Sequence, residues 1–142
     1  MRVRIVKAQL DHFRRKARSS RREIMAILVG EPVCFDNHKT TRIDVVRFIY
    51  PPLEKSDGMQ VIIGDAEIRK IEEAARRKNL RVVGAIHSHP NDTPIMSEQD
   101  FSAHIAYGDA ITGIVSVFKK RTRVMFWSMG SPLPCNLEYY QP

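Results

Sequence analysis

Residues 23–30 read "EIMAILVG", with six consecutive apolar positions from Ile24 to Val29. A strand with one wet face alternates apolar and polar side chains. This run does not alternate, so as a strand it must be covered on both faces. Gly30 is expected to end it. "RVVGAI" (81–86) opens a second strand of similar character, and the chain reaches Pro90 shortly after. Buried strands of this kind require layers, with helices packed on a sheet.

The rest of the chain supplies those layers. "KAQLDHFRRKARSSRR" (7–22) carries Leu10, Phe13 and Ala17 at helical spacing. "GDAEIRKIEEAARRKNL" (64–80) has Asp65 as a cap, Glu67 in its first turn and an Ile68, Ile71, Ala75 stripe. A third helix is expected over 97–109. Strands are expected at 2–6, 42–50 and 81–89. "ITGIVSVF" and "RVMFWSM" add two more, joined by the basic turn "KKRTR". "PPLEKSDGM" (51–59) reads as a loop. The fold class is therefore α/β of the α+β type: a single mixed sheet flanked by helices, with about six strands and three helices. One domain is expected over residues 1–142, with 131–142 as an irregular tail.

Composition narrows the function classes. With 142 residues, 43% hydrophobic and 27% charged, the chain is of ordinary globular make-up. No apolar run approaches the ~20 residues of a membrane span. The N-terminal stretch has no apolar core followed by small residues, so a secretory signal is not expected and a cytoplasmic location is. Cys34 and Cys135 are far apart and read as free thiols, which excludes a cysteine-built structural zinc site.

The chemistry concentrates in "GAIHSHPNDTPIMSEQD" (84–100). On a strand, His87 and His89 project from one face while Ser88 points away. Two imidazoles so held form a two-point clamp for a metal. If a helix starts at Ser97, Asp100 lies in its first turn and can add a carboxylate. Two imidazoles and one carboxylate suit zinc and leave a fourth position open, as catalytic sites do. The same Ser-x-x-Asp spacing also serves as a helix cap, with the histidines as polar residues at a strand end. His104 is one turn beyond Asp100 and reads either as support for the site or as a helix-surface residue. Taken by itself, Glu23 reads as the last exposed residue of a basic helix, paired with Arg18 or Arg22.

His87-Ser88-His89, then Ser97 and Asp100, resembles the JAMM motif of the MPN+ (JAB-domain) metalloproteases. Glu23 resembles the glutamate that the family places ahead of an upstream apolar strand. The order of elements is similar over residues 1 to 130. The resemblance implies a cytidine-deaminase-like JAB/MPN fold and one catalytic Zn2+ held by His87, His89 and Asp100. It also implies a zinc-activated water as nucleophile, Glu23 as general base then acid, and Ser97 as donor to the oxyanion. The implied reaction is hydrolysis of a peptide or isopeptide bond after the C-terminal tail of a ubiquitin-like or sulfur-carrier protein. Cognate conjugation enzymes are further implied partners. Two positions depart from the common pattern: Met96, not proline, precedes Ser97, and Ala26 stands where eukaryotic relatives often have glycine. The chain has no room for the insertions with which eukaryotic deubiquitinases grip ubiquitin, so a compact prokaryotic or phage-type member is expected.

The net charge is +7, and "RRKARSSRR" (14–22) holds six basic residues in nine. Such runs are ordinarily solvated faces, and here they also suit an acidic protein surface. Nucleic acid is not the expected partner, because no recognised binding motif or stacking platform accompanies the charge. Two other functions stay open at this point. One is a nucleic-acid-associated role like that of RadC-type domains, which carry a similar His-x-His stretch; the other is a non-catalytic MPN scaffold.

Overall fold

A computed structural model describes residues 1–35, 39–51, 55–56, 61–62, 65–90, 110–128 and 131–141. β1 (Arg2–Val6) runs directly into α1 (Lys7–Ser19), whose Leu10, Phe13 and Ala17 are all buried. They pack on Val3, Ile5, Ala26, Leu28, Val45, Ile86 and Phe126 to form the larger core. α2 (Asp65–Arg76) lays Ile71 and Ala75 on Ile27, Val29 and Ala85, forming a second core.

The two cores meet across β2 (Met25–Phe35). Ala26 and Leu28 face one, Ile27 and Val29 the other, and all four are at most 5% exposed. This is the two-sided burial expected of the apolar run. Ile27, Leu28 and Val29 each contribute roughly 1.5–3 kcal/mol to folding through their removal from water.

The remaining strands are β3 (Lys39–Ile49), β4 (Lys55–Ser56), β5 (Val61–Ile62), β6 (Arg81–Pro90), β7 (Ile111–Phe118), β8 (Arg121–Ser128) and β9 (Asn136–Tyr140). The main sheet has the order β8-β7-β6-β2-β3-β1-β9, while β4 and β5 form a separate short antiparallel pair. β6 pairs with β7 in parallel, and β1 is parallel to both β3 and β9. β2 is antiparallel to β3 and β6, and β7 to β8. The sheet is thus mixed, as expected.

α1 lies against β1, β7 and β8, so the sheet curves around it. The two ends of the strand order are stitched together by the segment before β9. Cys135 N–H donates to the Phe126 carbonyl (2.7 Å), Trp127 bridges Pro134, and Asn136 N–H donates to the Met1 carbonyl (3.1 Å).

Several sequence expectations are corrected here. Gly30 does not end β2, which continues to Phe35; it sits at a register shift where a Cβ would strike the Asp44 carbonyl of β3. It is glycine because the neighbouring backbone comes too close, not because the strand stops. The strand starts at Met25, so Glu23 stands just ahead of it. Residues 131–142 are not an irregular tail throughout, since 136–140 add a strand to the edge of β1. Pro132 and Pro134 lie ahead of that strand, and Glu138 bridges Arg2 and Arg4 across the join (3.5 and 4.0 Å). The basic turn is only Lys119–Lys120, both at positive φ, and Arg121, Thr122 and Arg123 already belong to β8. Lys55–Ser56 forms a strand within the expected loop.

α2 ends one turn earlier than its periodicity implies. Asn79 takes a positive φ, its N–H donates to Arg76, and Leu80 N–H donates to Ala75. These paired bonds close the helix as a Schellman cap, with asparagine in the position usually held by glycine. The expected helix over 97–109 lies outside the described residues. Cys135 is a free thiol.

Candidate metal centre

β6, a central strand of the sheet, carries the two histidines. Its pairing with β2 on one side and β7 on the other fixes the backbone from Gly84 to His87 on both edges. Side chains alternate, so His87 and His89 share the sheet face of Ala85, on which α2 packs. Ser88 faces the α1 side and is 1% exposed.

The His87 and His89 Nε2 atoms are 3.1 Å apart, with ring centroids at 4.9 Å and planes tilted by 53°. Two nitrogens bound at ~2.0–2.1 Å to one tetrahedral ion lie ~3.3 Å from each other. The observed separation matches that span to within a few tenths of an ångström. In the absence of an ion, the same pair is satisfied by one imidazole N–H donating to the other ring.

Glu23 completes the group. It is half-buried, and its carboxylate lies with the two imidazoles such that all three candidate ligand atoms fall within 4.8 Å of one another. His87 is 8% exposed, so the group is recessed rather than spread on a surface. Two imidazole nitrogens are borderline donors that suit zinc and other late divalent ions, and the carboxylate beside them can either add a donor or take a proton from a bound water. The residues present therefore fit a cation of this class.

The segment that delivers Glu23 is short and pinned at both ends. Upstream, the Ser20 hydroxyl accepts from Arg22 N–H (3.2 Å) and donates to the Arg22 carbonyl (2.9 Å). Downstream, Ser88 N–H donates to the Ile24 carbonyl (3.0 Å), and Ile24 N–H donates to the Ser88 hydroxyl oxygen (2.9 Å). Sequence reasoning placed Ser88 on the far side of the strand but found no role for it. Its partner lies 64 positions away, and nothing local signals the contact.

Of the residues singled out in the sequence, Glu23, His87 and His89 come together. Ser97, Asp100 and His104 lie outside the described residues.

A mixed sheet flanked by helices, with a His-x-His pair at the end of a central strand facing a glutamate, defines a JAB/MPN-type domain. The family model describing prokaryotic homologs of the JAB domain matches residues 6–130, and the chain belongs to that family. This family includes hydrolases.

Solved structures agree on the fold. A solution structure of a protein from Desulfitobacterium hafniense superposes with a TM-score of 0.74 at 14% identity, covering 99% of this chain and 94% of that one. The crystal structure of a JAB1/MPN domain protein from Archaeoglobus fulgidus gives 0.61 at 18% identity, covering 98% of each chain. No curated protein matches the sequence. Among the described residues, no helix is long and apolar enough to cross a membrane.

Proposed function

We propose that the chain is a zinc-dependent peptidase or isopeptidase, hydrolysing the amide bond after the C-terminal tail of a ubiquitin-like or sulfur-carrier protein. The observation that carries this reading is the convergence of Glu23, His87 and His89 within 4.8 Å, half-buried to buried, at the end of a central strand. When bound, the cation supplies Lewis acidity, which activates water and polarises the scissile carbonyl. His87 and His89 would hold it. Glu23 takes the proton of the attacking water and passes it to the amine that departs as the C–N bond breaks. Asp100 as third ligand and Ser97 as donor to the oxyanion complete the proposal from the family motif.

The partner class follows from the chemistry and the charge. A chain of net charge +7 favours an acidic polypeptide. The proposal places the protein in the cytoplasm, where a ubiquitin-like protein and its conjugation enzymes would meet it.

Metal analysis of the purified protein and cleavage of a fusion with a Gly-Gly junction test this. Glu23→Gln is expected to lower kcat by about 10²–10⁴-fold while retaining the metal. His87→Ala is expected to lose both. Undiminished cleavage by Glu23→Gln would overturn the mechanism.

A further inference from the structure

We infer that Ser88 is a positioning residue, acting through Ile24 to hold the Glu23 carboxylate over the histidine pair. This rests on the hydrolase reading above. β2 pairing begins at Met25 opposite His87, so Glu23 lies beyond the last rung of the sheet. In a regular antiparallel pair, residues 24 and 88 would exchange two main-chain bonds. Only one is of that kind here, from Ser88 N–H to the Ile24 carbonyl. The return bond goes from Ile24 N–H to the Ser88 hydroxyl oxygen at 2.9 Å.

The serine side chain therefore replaces a carbonyl as acceptor and extends the grip of the sheet by one residue. Ile24 also packs its side chain on the α1-side core. Glu23 is left as the single residue between this clasp and the Ser20–Arg22 turn. A backbone position held on neither side samples many states, and fixing it costs conformational entropy. The clasp meets that cost at folding rather than at each turnover. Ser88 thus ties the two halves of the site together, since the residue between the two histidines is the one that holds the chain of the base.

The test compares Ser88→Ala with Ser88→Thr, which keeps the hydroxyl. Ser88→Ala is expected to lower kcat by about 10–100-fold with KM changed by about twofold or less, because misplacement of a catalytic group by ~1 Å has that effect. Metal affinity should hold. Ser88→Thr should recover most of kcat. In the metal-free protein, Ile24 amide exchange should quicken in the alanine variant and not in the threonine one. A crystal structure of metal-free Ser88→Ala should show the Glu23 carboxylate displaced from the histidines.

A carboxylate that stays in place in that structure overturns the inference, whatever the activity. A loss of metal affinity in step with kcat overturns it too, because Ser88 would then act through the histidines. If the wild-type protein cleaves no amide bond, the hydrolase reading falls, while exchange and crystal geometry still decide the clasp.

Discussion

Burial sets the behaviour of single residues that the sequence leaves ambiguous. Cys135 is a free thiol whose pKa is raised mainly by burial, against a smaller lowering by its hydrogen bond with Ser128. A thiol held protonated reacts slowly. Alkylation at neutral pH, mapped by peptide mass spectrometry, should be much slower at Cys135 in the folded than in the unfolded protein. Equal rates would refute this. Tyr50 packs against Phe13 and His12, and burial pushes its hydroxyl up to about 12 from 10.0. The raised folded value means its contribution to stability is complete below pH ~10 and is lost as pH climbs towards ~12. Tyr50→Phe should flatten that alkaline limb in denaturation curves, and an unchanged limb would assign it elsewhere. Cys135 was legible as a free thiol from count and spacing, but neither its pKa shift nor that of Tyr50 was, because each depends on neighbours distant in sequence.

At the scale of elements, periodicity carried the helices and close backbone approach corrected the strands. Phe13 was legible as a core residue because it shares a helical stripe with Leu10 and Ala17, and it is fully buried. Phe13→Ala should cost about 3–5 kcal/mol, while exposed Arg15→Ala on the opposite side should stay within about 0.5 kcal/mol. Urea melts of the two variants check the contrast. Gly84 belongs to β6, where a Cβ would meet the Ile111 carbonyl of β7. Gly84→Ala should destabilise by about 1–3 kcal/mol through overpacking, and a neutral result would mean the strands can part. β9 was missed because "NLEYY" is short and partly polar, with prolines before it. What makes it a strand is the open edge of β1, which the order of the chain does not reveal.

For the whole molecule, charge and curvature are the governing quantities. Arg18 in the last turn of α1 and Arg21 and Arg22 just beyond it are exposed, leading directly to Glu23. Cleavage of an acidic substrate should therefore weaken steeply with salt through KM, since the screening length falls from ~10 Å at 0.1 M to ~3 Å at 1 M. A short neutral peptide with the same scissile junction should show little change. Equal salt dependence for both would show that the basic excess does not steer substrate. The curved sheet matters in the same way. By wrapping α1 and leaving α2 on the other face, it gives β2 and β6 two covers at once, and His87 on the α2 face is left 8% exposed.

The sequence by itself determined the layered mixed sheet, the two helices and the shared face of His87 and His89, because these follow from periodicities of 3.6 and 2 residues. Tertiary structure alone decided how Glu23, expected at the site only through the family resemblance, reaches those histidines, that Ser88 grips Ile24, and that residues 136–140 complete the sheet. Each of these joins groups more than sixty positions apart. Such contacts are set by which strand ends up beside which, and no local pattern encodes that.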